Sequence, residues 1–235
     1  MRKIISFIHL VVSTLAFSIL ALIVSLFDPK RKTMHRLSRL WATNHVKLAG
    51  ISVSVRGIEH VPHPPFILMC NHQSALDIYT LLAGLPMTFK WLAKKELFSI
   101  PFVGWVMMRA GDVSIDRENP REALRAIDEA GRKIREGMNL LIFPEGTRSE
   151  DGALLPFKQG VFNLAVRAGV PIVPVGINGT NRLQPKGSFI PKQKGVVYIT
   201  IGKPVEVEGK GSSAKAGVMN EVKDRIKVLV TCQET

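Results

Sequence analysis

The chain has 235 residues, 46% of them hydrophobic, which excludes wholesale disorder and fits one compact domain plus an appendage. Its 32 Lys and Arg against 19 Asp and Glu leave a formal charge of +13, which points to an anionic partner: nucleic acid, an anionic membrane surface or a phosphorylated substrate. Cys70 and Cys232 are the only cysteines, too few for a disulfide scaffold or a zinc-finger spacing.

Ile4 to Phe27 form a 24-residue stretch without formal charge. As a helix it measures roughly 36 Å, enough to cross a hydrocarbon core of about 30 Å. Ser6, His9, Ser13, Ser18 and Ser25 interrupt it. A cleaved secretory signal is the competing reading, although the run exceeds the usual apolar region of about 7–15 residues. Asp28-Pro29-Lys30-Arg31-Lys32 punctuates the chain, and residues 34–49 read as a second helix. Leu37, Leu40, Trp41 and Leu48 fall near one face, with Arg36, Arg39, Thr43 and Lys47 elsewhere. A basic amphipathic helix carrying a Trp is an interfacial membrane element; the alternative is a surface helix packed on the domain. Within residues 1–50, eight Lys or Arg accompany one acidic residue, Asp28. That excess attracts anionic lipid and favours a cytoplasmic side for the remainder of the chain. Two topologies stay open: a first helix that spans the bilayer, or a two-helix hairpin in one leaflet. Residues 1–49 thus read as a membrane-anchoring segment and 50–235 as the domain.

From residue 51, short β-rich runs alternate with helical stretches. Strands are predicted at 51–56, 66–70, 89–93, 112–115, 139–143, 172–177 and 196–201. Helices are predicted at 74–83, 97–109 (despite Pro101), 119–136, 161–167 and 214–230. The clearest is 119–136, with Asn119 as cap, Pro120 in the first turn, Leu124, Ile127 and Ile134 on the buried face and Gly137 at the end. Continuous apolar strands alternating with helices predict an α/β fold: a largely parallel central sheet covered by helices, with an N-terminal membrane-associated helical segment. Ligands in such sheets gather at the carboxyl ends of strands, so each motif should sit just after one.

Asn71-His72-Gln73-Ser74-Ala75-Leu76-Asp77 follows the 66–70 strand. On one helix, His72 and Asp77 would stand about 140° apart and could not readily meet. With His72 in the loop, Ser74 capping the helix and Asp77 in its first turn, the carboxylate points back to the imidazole. It then fixes the tautomer and leaves the other nitrogen free to take a proton from a hydroxyl. Ser74-x-x-Asp77 also fits a capping box, with no further role for Asp77. Phe143-Pro144-Glu145-Gly146-Thr147-Arg148-Ser149 follows the 139–143 strand. Gly146 permits backbone geometry closed to other residues, Arg148 offers a fork matched to phosphate oxygens, and Thr147 adds a hydroxyl. The bland alternative is a surface turn. Asp116 and Arg117 end another strand, as an ion pair or a cation site, and Lys94 is a further candidate cation. No Gly-x-Ser-x-Gly elbow, Walker motif, dinucleotide fingerprint or His-Glu-x-x-His is present.

These segments together resemble the glycerolipid acyltransferase family, in its bacterial 1-acyl-sn-glycerol-3-phosphate (lysophosphatidic acid) acyltransferase type. Asn71 to Asp77 matches the family's His-x4-Asp block, Gly111 to Arg117 the second, Phe143 to Ser149 the third and Val170 to Val175 the fourth. Ala93-Lys94-Lys95-Glu96-Leu97 and the pattern around Gly152, Leu155, Pro156-Phe157-Lys158 and Gly160 also look like it. The resemblance covers about residues 50–205.

It implies transfer of an acyl group from acyl-CoA or acyl carrier protein to the free hydroxyl of a lysophosphatidate in the membrane, yielding phosphatidic acid for phospholipid biosynthesis. His72 is expected as the base and Asp77 as its orienting partner. Arg148, supported by Arg117 and Lys94, is expected to meet the acceptor phosphate, with Gly146 and Thr147 in the same loop. Glu145 either orients that loop or contacts the acceptor. No bound cofactor, metal or nucleic acid is implied, and the setting is the cell inner membrane with the catalytic domain on its cytoplasmic face. Helix 97–109, with Phe98, Phe102, Trp105 and Met108, either lines an acyl channel or is ordinary core. Alternatives are an acyltransferase acting on another lysophospholipid or a non-phosphorylated acceptor, a lipid-binding protein without catalysis, and a nucleic-acid binder. The last lacks aromatic residues interleaved with a basic stripe.

Overall fold

The computed structural model describes residues 2–28, 31–207, 209 and 214–231, with side chains from Ser6 onward. Pro29, Lys30 and Cys232, and the side chains of Arg2 and Lys3, lie outside the described residues.

Two helices open the chain, α1 (Arg2–Val24) and α2 (Lys32–Leu48). Some hydroxyls here are returned to the helix backbone: Thr14 Oγ1 donates to the Leu10 carbonyl and, in the turn after α1, Ser25 Oγ to that of Leu22, each at 2.6 Å. Their polarity is thereby cancelled, and Ser6–Val24 is long and apolar enough to cross a membrane by length and composition. Ser18 and Ala21 are buried, whereas Phe7, Ile8, Val12, Leu15 and Ile19 are exposed.

Asp28 caps α2, its Oδ2 accepting from the Thr33 and Met34 N–H groups. The buried face of α2 is Met34, His35, Ala42, His45 and Val46; Leu40 and Leu48, expected on the apolar face, are exposed. The small Ala42 lets α2 close onto the domain, where Ala42 and Val46 join the core beside Phe66 and Leu68.

The domain beyond these helices is a seven-stranded sheet: β1 (Ile51–Arg56), β2 (Ile67–Cys70), β3 (Lys90–Lys94), β4 (Val113–Ile115), β5 (Leu140–Ile142), β6 (Ile172–Asn178) and β7 (Gly195–Ile201). Their spatial order is β1-β7-β6-β2-β5-β3-β4. All neighbours are parallel except β6 and β7, so β1 and β7 run against the other five. The expected largely parallel sheet is present, and the reversal is confined to one side.

Every residue of β2 is buried, and its period-two alternation feeds two cores. Ile67 and Met69 face one core with Ile127, Ile134, Val161 and Val222, contributed by α6 (Pro120–Arg135), α7 (Gln159–Ala168) and α9 (Lys215–Thr231). Leu68 and Cys70 face the other, with Leu76, Leu81 and Leu82 of α3 (Leu76–Gly84) and the α2 residues above. Gly176 lets α9 approach β6 closely: a Cβ there would stand 2.7 Å from the Leu229 backbone.

α6 begins as expected, with Asn119 Oδ1 accepting from the Arg121 and Glu122 N–H groups, and Gly137 follows it at φ 85°. Leu124 departs from expectation and is exposed. The single helix expected at 97–109 is two short ones, α4 (Lys95–Phe98) and α5 (Val103–Ala110). Pro101 has no N–H to continue a helix, and Phe102 turns the chain at φ 63°. Residues 97–109 are not core either, since Leu97, Ile100, Trp105 and Met108 are exposed. The four-residue helix α8 (Thr180–Leu183) carries too little periodicity to be read from sequence.

Candidate active site

β2, β5, β3 and β4 lie side by side and run parallel, so their carboxyl ends open on one edge of the sheet. Every expected site residue therefore leaves the same edge: His72 after β2, the 143–149 loop after β5, Lys94 as the last residue of β3, and Arg117 after β4. Asn71 fastens the end of β2 to β6, donating through Nδ2 to the Ile177 carbonyl at 2.9 Å and accepting the Ile177 N–H at 2.7 Å.

α3 starts only at Leu76, so His72 stands in the loop before it. Ser74 Oγ accepts the Leu76 N–H at 3.0 Å, capping the helix, and donates to the Gln184 carbonyl at 2.5 Å. Asp77 is wholly buried in the first turn. Its Oδ2 accepts from the Gln73 N–H at 2.8 Å, the Ser74 N–H at 2.9 Å and His72 Nδ1 at 2.7 Å. The capping arrangement and the imidazole contact are thus made by one oxygen. A ring that donates from Nδ1 to a carboxylate carries its lone pair on Nε2. Nε2 has no hydrogen-bond partner among the described residues. The ring lies flat against Phe143, with centroids 3.9 Å apart and planes 13° apart.

The 143–149 loop grips the His72 peptide from both sides. Glu145 Oε1 accepts the His72 N–H at 2.7 Å, and the Ser149 N–H donates to the His72 carbonyl at 2.9 Å. Glu145 Oε2 accepts the Leu155 N–H at 2.7 Å, so both oxygens of this buried carboxylate meet peptide groups, the loop-orienting arrangement. Burial raises its pKa from an ordinary 4.5 to about 7; the nearby Asp77 charge acts in the same direction and the two peptide bonds against it.

Gly146 turns the loop at φ 73°, and its carbonyl receives the Arg117 guanidinium. Thr147 is exposed. Arg148 is half-buried, adjoins Ser149 in sequence and has no ion pair or hydrogen bond among the described residues. Lys94 is instead paired with Glu96 at 3.0 Å on the surface. Asp116 does not pair with Arg117: it takes Lys95 at 3.2 Å and accepts the Glu118 and Asn119 N–H groups before α6.

A cleft of about 610 Å³ runs between α6 and α7 against the strand ends. Ile115, Leu124, Ile127, Ile142 and Val161 make it apolar; Phe143, Gly146, Arg117 and Lys158 connect it to the His72 loop. The exposed Leu124 thus belongs to the cleft, and residues 97–109 do not line it. Lys158 is not among the expected site cations, although it lies in the 152–160 pattern; its stem packs over Gly146. Among the described residues no group of three or more His, Cys, Asp or Glu is arranged to hold a metal ion.

A family profile described as Acyltransferase matches residues 52–178, which include every site residue above. The chain is 37% identical over 207 residues to a chloroplastic 1-acyl-sn-glycerol-3-phosphate acyltransferase of Arabidopsis thaliana, covering 86% of this chain and 56% of that one. It is 35% identical over 178 residues to the 1-acyl-sn-glycerol-3-phosphate acyltransferase of Pseudomonas aeruginosa, covering 75% and 67%. The chain spans about half the length of the plant relatives it matches. The crystal structure of the 1-acyl-sn-glycerophosphate acyltransferase PlsC from Thermotoga maritima superposes with a TM-score of 0.77 at 31% identity, covering 100% of both chains.

Proposed function

The chain belongs to the acyltransferase family, and on that premise we propose that it moves a fatty acyl group from an acyl thioester to the sn-2 hydroxyl of 1-acyl-sn-glycerol-3-phosphate, giving phosphatidic acid for phospholipid biosynthesis. The observation that carries this reading is the 2.7 Å contact between His72 Nδ1 and Asp77 Oδ2, which leaves Nε2 as the lone-pair nitrogen of a ring stacked on Phe143, a residue that lines the apolar cleft. Nε2 takes the proton of the acceptor hydroxyl as its oxygen attacks the thioester carbonyl. The tetrahedral intermediate collapses with loss of thiolate, which recovers the proton from the imidazolium. Asp77 holds the ring and stabilises its charged form. No acyl-enzyme is formed, and the transfer needs no cofactor or metal.

The cleft receives an acyl chain, and Arg148, Arg117 and Lys158 meet the acceptor phosphate. Arg117 and Lys158 line the cleft; Arg148 does not, but it leads because its half-buried guanidinium, in the loop that holds the His72 peptide, offers a two-pronged fork with no ion pair or hydrogen bond among the described residues. Lys94, engaged by Glu96, is a peripheral cation. Glu145 holds the loop to the base. Residues 1–49 attach the domain to an anionic membrane, the inner membrane of the cell with the domain on its cytoplasmic face. α1 supports this with apolar side chains turned outward. The thioester is acyl-CoA or acyl carrier protein.

Incubating the protein with 1-acyl-sn-glycerol-3-phosphate and a panel of CoA and carrier-protein thioesters tests the reading. Phosphatidate is the expected product. Acylation of a non-phosphorylated acceptor in preference would overturn the phosphate assignment, and no acylation would overturn the enzyme. Arg148→Ala should raise the acceptor KM about tenfold with little change in kcat; an unchanged KM moves the phosphate elsewhere.

A further inference from the structure

We propose that the α4–α5 lobe is a second lipid-docking surface, with Leu97, Ile100, Trp105 and Met108 entering the headgroup region of an anionic bilayer beside α1. These four side chains are 41, 43, 47 and 53% exposed and lie within twelve residues of one another, whereas exposed large apolar residues elsewhere on the domain stand singly. Isolated apolar side chains on a surface are ordinary, but a cluster marks a contact.

The lobe is a built feature. A Cβ at Gly104 would stand 2.0 Å from the Phe98 carbonyl oxygen, so only glycine lets α5 close onto α4. The Gly104 N–H donates to the Ile100 carbonyl and the Val103 N–H to that of Pro101, both at 2.8 Å. Phe102, at φ 63°, turns its ring against Trp105 at 5.0 Å.

Lipid is the occupant for three reasons. α5 packs against α1, so the lobe continues the outward apolar surface of Ile8, Val12 and Leu15. A half-exposed Trp next to Arg109, which has no ion pair among the described residues, is the composition of a bilayer interface. The lobe also leaves β3 at the edge of the sheet that carries His72 and Arg117, so docking it sets that edge against the lipid. Two contacts fix a tilt that one helix leaves free. The inference rests on residues 1–49 being membrane-attached.

The test uses the full chain on two sets of vesicles containing anionic phospholipid, one brominated near the top of the acyl chain for Trp105 and one near its end for a probe at the middle of α1. The Trp105 signal is the difference in fluorescence between the native chain and Trp105→Phe. A second chain, Trp105→Phe with Leu15→Trp, reports α1. Both probes should be quenched, that of Trp105 by about twofold or more. Quenching at position 15 but not at Trp105 overturns docking of the lobe and leaves the anchor standing; quenching at neither overturns both. Ile100→Ser with Met108→Ser should weaken vesicle binding about tenfold while turnover of detergent-dispersed acceptor stays unchanged. Equal losses in both media assign these side chains to folding and overturn the proposal.

Discussion

His72 and His45 each lie against an aromatic ring, Phe143 at 3.9 Å and Tyr79 at 4.6 Å between centroids, and they differ in what their nitrogens meet. At His72 one nitrogen is taken by Asp77 and the other is open. At His45 both nitrogens are buried without a partner, and burial, helped by the neighbouring His9, pushes the pKa from 6.5 down to about 4. His45 is therefore neutral at physiological pH and behaves as packing between α2 and α3. An imidazole in an apolar setting is not thereby a base. A carboxylate that fixes the tautomer and stabilises the cation makes the difference, and three N–H groups converging on one oxygen keep that carboxylate in place.

The comparison is tested most severely by His72→Ala, which should lower kcat by roughly 10²–10⁴-fold while vesicle binding is retained. Normal turnover would remove the proposed base. Asp77→Asn gives His72 a partner without charge, and kcat should fall by about 10²-fold or more, a loss read in single-turnover acylation. A loss below a few-fold would mean that the imidazole works without its carboxylate.

Glu145 gives a smaller effect that depends on pH. Its folded pKa of about 7 lies above its ordinary 4.5, so between those values the folded protein keeps a proton that the unfolded chain has released. The stability contributed by this group is therefore present below about 4.5 and is lost as pH rises towards 7. Glu145→Gln should abolish that slope, so denaturant curves from pH 5 to 8 should show the variant gaining on the native chain by about 2 kcal/mol. A constant gap across the range would show that the carboxylate is ionised throughout. The smallest change is expected for His45→Phe: activity within about twofold and stability unchanged or raised by about 1 kcal/mol, because two unsatisfied nitrogens leave the core. A large loss of activity would mean that His45 takes part in turnover.

Much of the architecture was legible because it rests on local chemistry. Asn119-Pro120 and Gly137 bound α6, the apolar runs of β2, β5 and β6 mark buried strands, and the spacing from His72 to Asp77 anticipates a loop followed by a first turn. Most of what escaped depends on how the elements and loops pack against one another. Leu40 and Leu48 carry the hydropathy of α2, but its buried side was chosen by the approach of α3 and β1, which suits Ala42 and Val46. Leu124 keeps the period of a core residue and meets a cleft, because α7 stands away from α6 there. The break after Pro101 depends on Gly104 packing on Phe98. Glu145 could not be assigned from sequence, since the two N–H groups it accepts belong to His72 and Leu155, 73 and 10 positions away. Lys94 stands at the end of β3 as expected, and its surface pair with Glu96 forms because α4 begins directly after that strand.

The grip of the 143–149 loop on the His72 peptide has an evolutionary corollary. On the proposed function, the segment assigned to the acceptor phosphate is also the footing of the proposed base, so headgroup preference and catalytic competence would be inherited as one trait. Grafting a foreign loop to alter selectivity would unseat the base unless the contacts from Glu145 and Ser149 travel with it. Diversification within this scaffold is expected to be freest at Thr147 and at the apolar side chains of the cleft wall, such as Leu124 and Val161, which make no hydrogen bond to the 143–149 loop.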